Sequence, residues 1–202
     1  HSPLDPTFNI SRVSPTEKIQ TLNKFFLIVN NSHWRKNRIG SLKVWRELRN
    51  LEIYKDAKLV VVGNQLEANE LEFLSGNSLL NEISVETHLN NQELTHFYRY
   101  AIALIFMTNY EGFGAPIIEA NSCGTLAIAT DLPVIREISN DYNILIPNDM
   151  NNVNWQEISW KLSSEEAADN AQEFIKNNYS VTAIAETLRD FLVFLCDLHQ
   201  AL

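Results

Sequence analysis

The sequence predicts an α/β fold built on a doubly wound, mostly parallel sheet, and three observations predict it. Short apolar runs rich in Val, Ile, Leu and Phe recur along the chain, segments of helical periodicity separate them, and Asn, Gly, Asp or Pro bounds each run. The runs are apolar throughout rather than alternating, as in strands buried on both faces of a parallel sheet of about six strands.

In chain order the predicted strands are Phe25–Val29, Leu59–Val62, Ile83–Val85, Ala103–Met107, Leu126–Ala129 and Asn143–Ile146. The periodic segments between them predict helices over Ser41–Leu51, Glu67–Leu74, Gln92–Ala101, Pro116–Ser122 and Val134–Ile138. The remainder reads as helical: Trp155–Leu162, Glu165–Asn177 and Val181–Leu202, with Ser163-Ser164 and Ser180 as caps. Val181, Ile184, Leu188, Phe191, Leu192, Leu195 and Leu198 form an apolar stripe at helical spacing, for which core packing is the expectation.

The 202 residues can bury a sizeable core, and the apolar and charged fractions are those of an ordinary globular protein. No apolar run is long enough to cross a membrane, and the first residues, His1-Ser-Pro-Leu-Asp-Pro-Thr7, resemble neither a signal peptide nor a natural start. The chain is therefore expected to begin inside a longer gene product. Cys123 and Cys196 make no metal spacing and no disulfide framework, so both are read as small buried hydrophobes in a reducing, cytoplasmic compartment. The net charge of −9 argues against a nucleic-acid surface. Any phosphate ligand must then meet a local basic patch, and the densest is Arg35, Lys36 and Arg38, directly after an apolar strand.

Sheets of this type bind ligands beyond the carboxyl ends of their strands. That rule gathers Asn30–Asn37, Gly63–Gln65, Thr87–Asn90, Thr108–Ala115 and Thr130–Pro133 around one rim. The most specific of these segments is Glu111-Gly-Phe-Gly-Ala-Pro-Ile-Ile-Glu119. Gly112 and Gly114 permit close backbone approach, and Pro116 suits the first helical position because its missing N–H would have been an orphan donor. The loop thus ends on a helix N-terminus, where amides and the helix dipole favour an anion, while Glu119 in the first turn accepts from vicinal hydroxyls. Phosphate beside a diol reads as a nucleotide or nucleotide sugar.

The stretch EGFGAPIIEANSCGTLAIATDLPVIREI, from Glu111 to Ile138, resembles the E-G-F-G-x-P-x-x-E pattern of the retaining GT-B glycosyltransferases of family 4, in their C-terminal, nucleotide-sugar-binding domain. Phe25-Phe-Leu-Ile-Val-Asn-Asn-Ser-His-Trp-Arg-Lys-Asn37 resembles that family's strand, turn and R-K-N segment, and Val85–Leu94 its strand, loop and helix start. Departures are Leu126 for a proline, and Asn30 and Asn31 where the family has Gly and often Arg, Ser or Thr. Asn30 tolerates left-handed backbone, which would preserve the turn. The resemblance implies one half of a GT-B fold: a leading segment and helix over 1–24, a Rossmann-like core over 25–148 and C-terminal helices over 149–202. It further implies that the acceptor site belongs to an N-terminal domain absent from this chain, toward which the last helix of the family commonly crosses.

The resemblance also assigns roles. Lys36 and Arg35 would meet the diphosphate charge, with Glu111 facing the transferred sugar as the third catalytic residue. Backbone amides of Phe113, Gly114 and Ala115 would donate to phosphate. Glu119 would hold the ribose, Asn31 would stand at a diphosphate contact, and His88 would lie near the base. For Glu111, capping of nearby loop amides is the alternative. For His88, Trp34 and Tyr110, ordinary loop or packing roles are the alternative, and for Arg136-Glu137 it is a helix ion pair.

No cofactor is expected, and with no Asp-x-Asp motif or His/Cys cluster no metal is expected either. The implied donor is a UDP-, GDP- or dTDP-sugar. The implied reaction is transfer of mannose, glucose or galactose to a glycan or lipid-linked acceptor in polysaccharide or lipopolysaccharide assembly, with peripheral association of the full-length protein at the inner membrane face. A non-catalytic interaction module and a nucleotide-sugar epimerase are the alternatives.

Overall fold

The computed structural model describes residues 4–9, 14–31 and 33–200, with the side chains of Asn9 and of residues 194–200 left aside. A 3₁₀ turn at Pro6–Asn9 and helix α1 (Glu17–Leu22) precede a six-stranded, all-parallel sheet. The strands are β1 (Phe25–Val29), β2 (Lys58–Val62), β3 (Ile83–Glu86), β4 (Leu104–Phe106), β5 (Ala127–Thr130) and β6 (Ile144–Ile146), in the order β3-β2-β1-β4-β5-β6. All six were legible in the sequence to within a residue or so at each end.

Between strands lie α2 (Arg38–Arg49), α3 (Ala68–Gly76), α4 (Asn91–Tyr100), α5 (Ala115–Ser122) and α6 (Pro133–Ser139), followed by α7 (Trp155–Leu162), α8 (Glu165–Tyr179) and α9 (Val181–Gln200). Helix α2 begins three residues before the expected Ser41, because Asn37, left-handed at φ 36°, accepts from the Gly40 amide and caps it. Ser164 and Ser180 do cap: their hydroxyls accept from the Ala167 and Ala183 amides, each at 3.2 Å.

Each strand sends alternate residues to opposite faces, and both faces are covered. Phe25, Leu27, Val60, Val62, Leu104 and Phe106 meet Phe97, Tyr98, Ile117, Ile135 and Ile175 from α4, α5, α6 and α8. Phe26, Ile28, Leu59, Val61 and Ile105 meet Leu42, Trp45, Leu48, Leu74 and Ile158 from α2, α3 and α7. Cys123 is buried in the first layer as expected, and burial pushes its thiol up to about 12. Cys196 lies outside the described side chains.

The apolar stripe of α9 does not pack as expected. Leu188, Phe191 and Leu192 are each more than half exposed and Val181 is half exposed. Helical periodicity reports that a helix has an apolar face, not that this chain supplies the surface to cover it. Leu195 and Leu198 fall outside the described side chains.

Candidate functional site

Strand order reverses direction at β1, where the chain goes outward through β2 and β3 and then returns to lay β4 on the other side. The crevice between the loops after β1 and β4 is where a doubly wound sheet takes its ligand. Those two loops carry Lys36 and Glu111, and the Lys36 ammonium lies 2.7 Å from the Glu111 carboxylate. Two residues 75 apart in sequence are thus an ion pair at the switch point. The second Glu111 oxygen accepts from the Gly112 amide at 3.2 Å, so Glu111 also makes the loop-capping contact.

The Lys36 side chain passes over the Phe106 ring, 5.3 Å from its centroid, which holds the ammonium against the end of β4. Arg35 is exposed, with its Nε 3.4 Å from His33 Nδ1. Arg38, grouped with them by sequence, is a different case. Its guanidinium is buried against Glu70 (2.7 and 2.5 Å) and donates to the carbonyls of Asn64 and Gln65. It ties α2 to the loop after β2 and is withdrawn from the open rim where Lys36 and Arg35 stand. Trp34 and Tyr110, for which packing was the blander expectation, are 71% and 60% exposed at the rim.

Asn30 corrects a second expectation. It is absent from the positive-φ residues, so the turn after β1 does not use left-handed backbone there. The Asn30 carbonyl instead crowds Gly63, where an added Cβ would sit 2.0 Å from that oxygen at φ +145°. Asn31 is exposed beside Gly63 and lines a cavity of about 370 Å³ with Asn64, Gln65, Thr87 and His88, itself left-handed at φ 60°.

The Glu111–Glu119 segment runs from loop to helix as read. Gly114 is the N-cap of α5 at φ +87°, and a Cβ there would lie 2.6 Å from the Ile138 side chain of α6. Gly112 meets no such neighbour. Helix α5 begins at Ala115, so Pro116 sits one position further in than expected. The Phe113 ring turns away to pack on Tyr179, 5.9 Å between centroids, leaving its backbone as the part aligned with the helix start.

Glu119 lies at the edge of a cleft shared with Asp5, Asn91, Phe113 and Ala115. The fully buried Tyr98 donates its phenol to the Glu119 carboxylate at 2.7 Å. Burial raises the Glu119 pKa above the usual carboxylate value and nearby Asp5 adds to the rise, while the Tyr98 bond opposes it. Burial likewise pushes the Tyr98 phenol well up, with the Glu119 charge second. Asp5 moves the other way, held down by its bonds from Thr7 and Asn91. Neither Tyr98 nor Asp5 was singled out in the sequence, since one reads as a helix aromatic and the other as a turn residue. Arg136 pairs with Asp131 across the β5–α6 junction, which holds the Asp131 carboxyl below its ordinary value.

Comparison with known proteins agrees with this fold. Residues 11–181 match the family described as Glycosyl transferases group 1. The O-antigen chain mannosyltransferase RfbU of Salmonella typhimurium is 33% identical over 131 residues, 62% of this chain and 35% of that protein. The serotype-specific mannosyltransferase WbdA of Escherichia coli is 32% identical over 58% of this chain and 14% of its own length. The chain therefore spans about a third or less of the curated relatives it matches. Among solved structures, sucrose-phosphate synthase of Thermosynechococcus elongatus superposes with a TM-score of 0.72 at 18% identity, over 98% of this chain and 52% of that one. Anabaena HepE, solved with UDP and glucose, superposes at 0.68 and 16% identity, over 88% and 50%. These last two likenesses concern the fold alone, whereas the match spanning most of the chain, with the Glu111–Glu119 loop at the reversal of the sheet, places this protein in the Glycosyl transferases group 1 family.

Proposed function

We propose that this chain is the C-terminal, donor-binding half of a retaining glycosyltransferase that moves a hexose from a nucleoside diphosphate to a glycan or lipid-linked acceptor. The observation that carries the reading is the Lys36–Glu111 pair at the switch point of the sheet, beside the N-terminus of α5. The names of the O-antigen relatives support mannose as the first sugar to test.

In this reading the diphosphate displaces Glu111 from Lys36. The ammonium, Arg35 and the amides leading into α5 then meet the charge that grows on the diphosphate as the bond from the anomeric carbon breaks. The bond from the acceptor oxygen to that carbon forms on the same face as the acceptor's proton passes to the departing diphosphate oxygen, with Glu111 released to face the sugar. Glu119, oriented by Tyr98, accepts from the ribose hydroxyls, and the base lies toward Asn31 and His88. Two fixed cations in place of a divalent ion make the transfer metal-independent. Acceptor binding falls to a second domain, and full-length protein at the inner membrane face fits a lipid-linked acceptor.

Isothermal titration with UDP, GDP, dTDP, GDP-mannose and UDP-glucose tests the reading. Binding of at least one diphosphate, unaffected by a chelator, is the expected result. No binding of any of them at millimolar concentration overturns it.

A further inference from the structure

The turn carrying Arg35 and Lys36 (a 3₁₀ turn, Trp34–Lys36) offers three successive backbone carbonyls, and each is taken by a donor from a strand end. Asn109 Nδ2 donates to the Trp34 carbonyl at 3.1 Å, and Asn30 Nδ2 to the Lys36 carbonyl at 3.4 Å. The middle carbonyl, that of Arg35, receives both the Asn109 amide and the Thr108 hydroxyl at 2.7 Å. The same Thr108 hydroxyl lies 2.9 Å from the carbonyl of Tyr110, the residue before Glu111.

One hydroxyl proton is therefore shared between the carbonyl preceding Lys36 and the carbonyl preceding Glu111. Thr108 is fully buried, and its own amide donates to Thr130 Oγ1 at 2.9 Å, so the clamp is anchored on the end of β5. Thr108 holds the rim loops only through their backbone carbonyls and is itself buried beneath them, out of reach of a ligand. What it controls is the distance between the roots of two side chains that stand at the rim.

We propose that Thr108 is a positioning residue, whose hydroxyl fixes the Lys36 turn against the Glu111 loop and so sets the geometry in which the pair receives a diphosphate. The inference rests on the nucleotide-sugar reading above. A lysine stem is flexible, but the origin of that stem is set by the backbone. A shift of about 1 Å in such a group can cost up to about a hundredfold where charge must be met in a fixed place. Loss of the hydroxyl removes the Thr108 donor from the Tyr110 carbonyl and leaves the Arg35 carbonyl with the Asn109 amide alone, which frees the two loops to part.

The test compares the affinity of a nucleoside diphosphate with that of the matching monophosphate, using whichever base the wild type binds, together with thermal unfolding. Thr108→Val keeps the shape and removes the hydroxyl, whereas Thr108→Ser keeps the hydroxyl. The expected result is a roughly tenfold weaker diphosphate for Thr108→Val, about 1.4 kcal/mol, an unchanged monophosphate, and a wild-type diphosphate-to-monophosphate ratio for Thr108→Ser. Equal losses for both nucleotides, or a ratio unchanged in folded Thr108→Val, overturn the inference. Should Thr108→Val fail to fold, Thr108→Ala, which removes the same hydroxyl with a smaller side chain, decides: a lowered ratio supports the clamp and an unchanged one overturns it. A wild type that binds neither nucleotide overturns the nucleotide-sugar reading and the clamp together, whereas wild-type binding with an unaltered ratio in the variants overturns the clamp alone.

Discussion

The phenol of Tyr98 donates to the carboxylate of Glu119 at 2.7 Å across the interface of α4 and α5, with Tyr98 fully enclosed. The bond joins the first helix after β3 to the helix of the Glu111–Glu119 motif, so the motif glutamate is aimed by a residue outside the motif. Tyr98→Phe removes the donor from a desolvated carboxylate. We expect a loss of about 1–3 kcal/mol in unfolding free energy by urea titration, with weaker binding of ribonucleotides.

Glu119 also makes binding depend on pH. Its pKa is raised in the folded chain, chiefly by burial, so the native state holds the proton more tightly than the unfolded state. The protonated form costs nothing below the unfolded pKa, and stability falls as pH rises through the raised folded value. Glu119→Gln removes this dependence: its melting temperature should match or exceed that of the wild type toward neutral pH, with little gain in acid. On the proposed reading, ribose binding would run the other way, because the ionised carboxylate is the full acceptor. Wild-type nucleotide affinity should rise as pH passes upward through the Glu119 titration, and Glu119→Gln should flatten that profile in isothermal titration.

The Lys36–Glu111 pair is partly exposed, with side chains 26% and 14% accessible, so its worth to the empty fold is small. Lys36→Ala should cost no more than about 1 kcal/mol of stability while weakening diphosphate binding by roughly tenfold or more. A stability loss without a binding loss would remove Lys36 from the diphosphate site.

Arg38 and Glu70 give the opposite pattern. Their side chains are 1% and 4% accessible, so removing one partner leaves the other charge buried. Arg38→Met should destabilise by about 3–5 kcal/mol, and the Arg38→Met/Glu70→Met pair should recover much of that loss. Chemical denaturation of the two single variants and the double variant measures the coupling.

Gly114 combines a left-handed backbone with a neighbour that a methyl would meet at 2.6 Å. Gly114→Ala should cost about 1–3 kcal/mol and shift the start of α5, whereas Gly112→Ala, in open space, should leave the melting temperature nearly unchanged.

Much of this was legible in the chain itself. The strands were found because both-sided burial demands continuous Val, Ile, Leu and Phe, and Phe25–Val29 and Trp155–Leu162 fell where the pattern put them. Helix α2 starts three residues before the periodic pattern does, because the Asn37 side chain caps Gly40 and a capping asparagine in a basic segment adds nothing to the apolar periodicity. Site residues on one continuous motif, Glu111 to Glu119, were legible because loop, glycine and helix start follow one another in sequence. Tyr98, Thr108 and Arg38 were not, since a phenol, a hydroxyl and a guanidinium acquire a role only from the group placed opposite.

The sequence by itself determined the alternation of strands and helices, the anion-favouring loop before α5 and the two carboxylates that flank it, all of them consequences of local pattern and residue chemistry. Tertiary structure decided which basic residue stands at the open rim. Lys36 and Arg38 stand two positions apart in one short turn, yet one reaches Glu111 at the open rim and the other is buried on Glu70. That division follows from where the sheet reverses and where α3 packs, because a charge is spent on whichever partner the fold brings within about 3 Å, and no spacing along the chain encodes that distance.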